Sequence, residues 1–154
     1  GRDEPTCYIF GDVYFSDEAI KTIVETKTND IEFFGSKPPF DRNYIKDHQE
    51  PFALKVVNTK HLKEAIEKTK ELEKQGKFWR KPIMWELWSV IKGEPVQKKG
   101  DYKTEYVVIN DYTCDVDWQE DVNKLKLKVE KPTKKLSIII FFSFAKLRIT
   151  ISIF

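Results

Sequence analysis

Two groups of aspartates stand where a sheet could present them to a ligand. Asp12 follows the apolar run Cys7-Tyr8-Ile9-Phe10 and Gly11, and Asp111, Asp115 and Asp117 follow the apolar run Tyr106 to Ile109. Hard divalent cations such as Mg²⁺ take oxygen ligands and are often held by one or two carboxylates, with substrate phosphates and water filling the other positions. Two strand-end aspartates, distant in sequence but neighbours across a sheet, suit that work, because they leave coordination sites open. The same spacing has a plainer reading. Asp12 is then a turn residue after Gly11, and Asp115 and Asp117 cap a helix that begins near Trp118.

The elements that must position these groups follow from periodicity. Cys7 to Phe10 reads as a buried strand running into a tight turn. Ser16 is a suitable helix cap, with Asp17 and Glu18 in the first turn, and Ala19, Ile20, Ile23 and Val24 form the apolar stripe. Asp30 to Phe34 and Phe52 to Val57 read as strands. The stretch between them, Gly35 to Pro51, has three prolines and mixed charge and reads as a loop. Asn58-Thr59 precedes a helix whose face carries Leu62, Ala65, Ile66, Thr69 and Leu72, with Gly76 placed to end it. Pro82 opens a further helix, apolar nearly all round through Trp85, Leu87, Trp88 and Ile91, and Gly93 and Pro95 stop it. Tyr106 to Ile109 is a fourth strand, Asn110 to Asp117 an acidic loop, and Trp118 to Val129 a short amphipathic helix at most. Strands separated by helices imply α/β layering, and in open α/β sheets ligands bind beyond the carboxyl ends of strands.

Two segments carry a resemblance. Phe10-Gly11-Asp12-Val13-Tyr14 resembles the strand-end motif of nucleotide-sugar pyrophosphorylases and related sugar nucleotidyltransferases, in which a hydrophobic strand leads into Gly-Asp. Asp115-Val116-Asp117-Trp118-Gln119-Glu120-Asp121 resembles the late Asp-x-Asp-x-Pro-Glu-Asp segment of the cytidylyltransferases that activate acidic sugars, with Gln119 in place of the proline. The two occur in the family's order over roughly residues 7 to 125. The resemblance implies an α/β, Rossmann-like three-layer sandwich of the nucleotide-diphospho-sugar transferase type. It also implies that Asp12 and Asp117 ligate a catalytic Mg²⁺ (or Mn²⁺), with Asp115 as a supporting ligand. The implied partners are an NTP and a sugar phosphate or sugar acid, with pyrophosphate released. The family's opening strand and glycine-rich loop, which hold the nucleotide, have no counterpart here. Lys92-Gly93 and Lys99-Gly100 are isolated pairs, not a phosphate loop. The expected fold is therefore an incomplete domain lacking its nucleotide-binding front, inactive on its own, and no general base is assigned.

The remaining features narrow the alternatives. A length of 154 residues is room for one domain, and a net charge of +2 gives no electrostatic case for nucleic acid. His48 and His61 have no metal-ligand spacing with Cys7 and Cys114, so zinc is disfavoured. The two cysteines are expected as reduced, partly buried thiols in a cytoplasmic protein, and acidic surroundings disfavour a thiolate nucleophile. Phe78-Trp79-Arg80-Lys81 could hold a sugar ring or an anion, or simply pack Trp79 against a helix start with solvated cations. Lys124 to Lys135 reads as a solvated face. Residues 137–154 contain no acidic residue and divide from residues 1–136 as an apolar tail. A strand (Leu147 to Ile153 alternates), a membrane anchor and a non-native segment are the three readings of that tail, the last slightly favoured. The rival to an enzyme is a non-enzymatic α/β interaction or regulatory module, membrane-associated only if the tail anchors it.

Overall fold

The computed structural model describes residues 4–40, 45–95 and 103–129, and the backbone of residues 148–152. The first strand, β1 (Thr6–Phe10), turns through Gly11 and Asp12 into β2 (Val13–Tyr14), and α1 (Asp17–Glu25) follows. Then come β3 (Ile31–Gly35), β4 (Pro51–Val56), α2 (Thr59–Lys74) and α3 (Met84–Ile91). The chain closes with β5 (Val107–Val108), β6 (Cys114–Asp115), α4 (Gln119–Val129) and β7 (Arg148–Ser152). The α/β class expected from the sequence is what the chain adopts.

The main sheet has the order β5-β3-β4-β1-β7. β4 runs antiparallel to both β1 and β3, whereas β3 pairs with β5 and β1 with β7 in parallel. The sheet is therefore mixed, with β1, β3, β5 and β7 pointing one way and β4 alone reversed. This places the carboxyl ends of β1 and β5, and the aspartates after them, on the same edge of the sheet.

Alternation along the strands of the main sheet puts a core on each of its faces. Phe33, Leu54 and Val56 pack with Ala65 of α2 and with Trp85, Trp88 and Ile91 of α3, joined by the partly buried Tyr8. On the opposite face Cys7, Phe34, Phe52 and Ala53 pack against Ala19 and Ile23 of α1. A lysine also points to that face: Lys55 is 6% exposed, and its Nζ donates to the carbonyl oxygens of Ile23, Val24 and Thr26 at the end of α1.

The helix boundaries follow the capping residues. Ser16 Oγ accepts from Ala19 N–H and opens α1, and Asn58 Oδ1 accepts from His61 N–H and opens α2. Gly76 and Gly93 have φ of 65° and 69°. Each ends its helix in the same way. Lys77 N–H reaches Leu72 O and Gly76 N–H reaches Glu73 O after α2, while Glu94 N–H reaches Ser89 O and Gly93 N–H reaches Val90 O after α3. α3 starts two residues beyond Pro82, at Met84, because Glu86 reaches back to accept from Ile83 N–H at 3.0 Å. Gly35 sits at a register shift between β3 and β4. A Cβ there would lie 2.6 Å from Glu50 O, so the strand can approach this closely only with glycine.

Three expectations from the sequence are revised. The fourth strand covers Val107–Val108 rather than Tyr106 to Ile109, and the acidic loop after it contains β6. The helix after Trp118 is a full eleven-residue element. Within the tail, Arg148–Ser152 pairs with the outer edge of β1, in keeping with the strand pattern read from Leu147 to Ile153. The division at residues 136 and 137 lies outside the described residues, as does Lys99-Gly100. Among the described residues, no helix is long and apolar enough to cross a membrane.

Candidate functional site

The site forms where β1 leaves the sheet. Gly11 and Asp12 form a turn that leads into β2, and β2 pairs antiparallel with β6, setting Val13 opposite Asp115 and Tyr14 opposite Cys114. Val116 N–H donates to Asp12 O at 2.8 Å. These short ladders bring two loops, about a hundred positions apart in sequence, into one ridge. Asp12 and Asp115 both line a cavity of about 870 Å³ bounded by β1, α2 and the segment from Lys81 to Leu87.

Electrostatics registers the convergence. Burial first, then the neighbouring charges of Asp117 and Asp12, raise the Asp115 carboxyl from its ordinary 3.8 to about 6. Asp115 Oδ1 is buried without a hydrogen-bond partner, and so is Glu50 Oε1. Glu50 sits just before β4 and is 3% exposed. Its Oε2 accepts from Asp115 N–H at 3.2 Å, and its Oε1 lies 3.6 Å from Lys46 Nζ and 3.6 Å from His48 Nε2. Burial raises the Glu50 carboxyl to about 7, against the opposing pull of the Asp115 N–H and Lys46.

The other two acids of the loop are engaged elsewhere. Asp111 accepts from Ser16 Oγ and from Thr113 N–H, which ties the loop to the start of α1. Asp117 lies 2.9 Å from Lys46 Nζ and does not line the cavity. Lys46 also holds Asp121 at 3.1 Å, and Asp121 Oδ2 in turn accepts from Asp117 N–H and Trp118 N–H. Asp121, at the third position of α4, thus does the capping that the sequence reading assigned to Asp115 and Asp117. Burial works against the Lys46 charge, but Asp117 and Asp121 hold its pKa above the ordinary lysine value.

The structure therefore unites Asp12 with Asp115, keeps Asp117 beside Asp115, and ties the Asp117 carboxylate to an ammonium group. Among the described residues, no group of three or more His, Cys, Asp or Glu side chains is arranged to hold a metal ion. A cation here would rest on Asp12 and Asp115 and complete its shell with substrate oxygens and water, a donor set that suits Mg²⁺ or Mn²⁺. The unpartnered Asp115 Oδ1 fits that role. Lys46 and Glu50 were not visible as site residues in a loop of mixed charge. Their i, i+4 spacing just ahead of a strand was the only signal.

The remaining candidates are quiet. Cys7 and Cys114 are free and buried, and burial raises both thiols, Cys114 to about 12 with Glu50 and Asp121 adding to the effect. Neither is an activated nucleophile. Arg80 stacks on Trp79 at 4.6 Å and pairs with the buried Glu86 at 3.0 Å, so it is more anchored than a solvated cation. Lys81 lines the cavity. No family model matches the chain, and no curated protein or solved structure matches it.

A pH dependence follows from Glu50. Its folded pKa of about 7 lies above the ordinary 4.5, so the folded state takes up the proton first. That contribution to stability is complete below about 4.5 and is lost as pH rises through about 7. Asp115 acts in the same direction at lower pH. Glu50→Gln should therefore raise stability above neutral pH, by on the order of 3 kcal/mol at most, and flatten the pH profile. Urea unfolding in EDTA from pH 5 to 8.5 reads this directly. A variant less stable than the parent at pH 8 would contradict the assignment.

Proposed function

We propose that these residues form the back portion of a metal-dependent sugar nucleotidyltransferase, in a Rossmann-like three-layer sandwich of the nucleotide-diphospho-sugar transferase type. The reaction is nucleotidyl transfer. An oxygen of a sugar phosphate or sugar acid bonds to the α-phosphorus of an NTP as the bond to the β-phosphate breaks, and pyrophosphate leaves. With a fully ionised phosphate as acceptor, no proton has to move. When bound, Mg²⁺ or Mn²⁺ neutralises phosphate charge and fixes the in-line geometry. This chain's own contribution is to hold Asp12 and Asp115 together and to keep Asp115 free of protein donors on one oxygen. No glycine-rich phosphate loop occurs in the sequence, so the transfer is proposed for an intact parent rather than for these residues alone. A cytoplasmic location belongs to the same proposal, supported by two free thiols.

The observation that carries this reading is the convergence of Asp12 and Asp115 at the carboxyl end of β1, on the edge of the sheet where α/β proteins bind ligands. The Lys46 contact with Asp117 and Asp121 favours the second reading, an interaction module whose acids serve structure alone. Mn²⁺ titration followed by water-proton relaxation, with inorganic pyrophosphate present, separates the two. Asp12→Asn and Asp115→Asn should each weaken Mn²⁺ binding about tenfold or more, the scale of about 1.4 kcal/mol for one ligand contact, while Asp117→Asn changes it about twofold at most. Binding that is undetectable, or untouched by both of the first two substitutions, removes the metal site. Equal loss in Asp117→Asn would return Asp117 to the ligand set.

A further inference from the structure

The cavity beside β1 has walls that do not match its rim. Phe10, Ile66, Ile83, Met84 and Leu87 supply a broad apolar surface, and Ile83 is 46% exposed within it. The volume of about 870 Å³ lies within the range of small-molecule sites. Charge is confined to a few points: Asp12 and Asp115 from the strand ends, and Lys70, Glu73 and Lys81 from the helical side. Lys70 is paired with Glu67 at 2.9 Å. Lys81 has no ion-pair partner among the described residues and is the cation available to an incoming anion; Asp12, Asp115 and Glu73 are equally without one, so their charge disfavours an anion anywhere in the cavity but at Lys81.

We propose that this cavity is an acceptor subsite, and that it takes an anionic molecule bearing an apolar substituent, such as a deoxy or acylated sugar phosphate, in preference to a fully hydroxylated one. The assignment to an acceptor rests on the nucleotidyltransferase reading; the preference for an amphipathic anion rests on the walls alone. Each hydroxyl placed against Phe10, Ile66 or Leu87 loses hydrogen bonds to water and finds no replacement on the side chain it meets, whereas a methyl, acyl or ring carbon placed there leaves water at a gain. Lys81 supplies a charge-assisted contact for phosphate or carboxylate.

Calorimetry or saturation-transfer NMR on the full 154-residue chain at low salt tests this with phenyl phosphate, glucose 1-phosphate and inorganic phosphate as probes. Phenyl phosphate should bind about tenfold tighter than either polar anion, the difference made by removing part of a ring from water. Lys81→Ala should weaken phenyl phosphate about fivefold or more, and Ile83→Ser should erase most of its advantage over glucose 1-phosphate. Both residues are exposed, so neither substitution threatens the fold. Glucose 1-phosphate binding as tightly as phenyl phosphate, or phenyl phosphate binding that ignores both substitutions, overturns the proposal. The Mn²⁺ titration fails separately: an amphipathic anion held without any metal site at Asp12 and Asp115 keeps this preference and discards the transferase reading.

Discussion

Trp88→Ala should cost the chain about 4 kcal/mol, within the roughly 3–5 kcal/mol range for truncating a buried tryptophan. Trp88 is 1% exposed and stacks on Phe33 with ring centroids 5.4 Å apart and planes at 18°. Its indole N–H donates to Glu105 O at 3.0 Å, and Lys92 Nζ lies 5.3 Å from its ring centroid. One side chain thus ties α3 to the sheet and to the segment leading into β5. Truncation leaves a void among Phe33, Trp85 and Tyr106 that rigid neighbours cannot close, and it orphans a carbonyl. Against a total stability on the order of 5–15 kcal/mol, the variant should melt roughly 10 °C or more below the parent. Trp118→Ala is the control, because Trp118 is 74% exposed and should change stability by about 0.5 kcal/mol at most. Equal effects of the two substitutions in urea unfolding would show that the buried core is not where the structure puts it.

The second large effect belongs to Lys55→Met. A helix leaves its last carbonyls unpaired, and α1 has no basic residue in its final turn. Lys55 supplies the missing donor from the neighbouring strand, at 3.1, 2.7 and 2.6 Å from the oxygens of Ile23, Val24 and Thr26. Methionine reproduces the stem and its packing but not the ammonium. Three partly buried carbonyls at the negative end of a helix then lose their partner, a cost of about 2–4 kcal/mol. Hydrogen exchange should show the loss concentrated in α1. A Lys55→Met variant within about 0.5 kcal/mol of the parent would mean that water replaces the ammonium without penalty.

Lys55 also shows how far the sequence could be read. Phe52 to Val57 announces a strand, and β4 is one; nothing in a lone lysine there distinguishes a solvated side chain from one folded under a helix. The caps Ser16 and Asn58 and the terminators Gly76 and Gly93 were legible because each acts on its own few neighbours. Strand-end logic set Asp12 against the group Asp111, Asp115 and Asp117, and the resemblance put Asp117 ahead of Asp115, whereas it is Asp115 that lines the cavity with Asp12. The two-residue strands β2 and β6 that join them were not visible, since a pair so short has no periodicity. Lys46 and Glu50 were lost for a similar reason. Their role exists only once a loop of mixed charge is laid against a segment some seventy residues further on. β7 was half legible, with its alternation favouring a strand but nothing naming β1 as its neighbour.

Lys46 carries one last consequence. An acidic ridge that relied on a divalent ion for neutrality would be linked to that ion as it folds, and a chelator would unfold it. Here an ammonium group from the chain itself offsets Asp117 and Asp121, and Asp121 secures the start of α4. Assembly of this edge and occupancy by a cation are therefore separate equilibria. A cation would meet Asp12 and Asp115 already in place, and its whole affinity would be expressed as binding, stabilising the fold only by mass action as its concentration exceeds its dissociation constant.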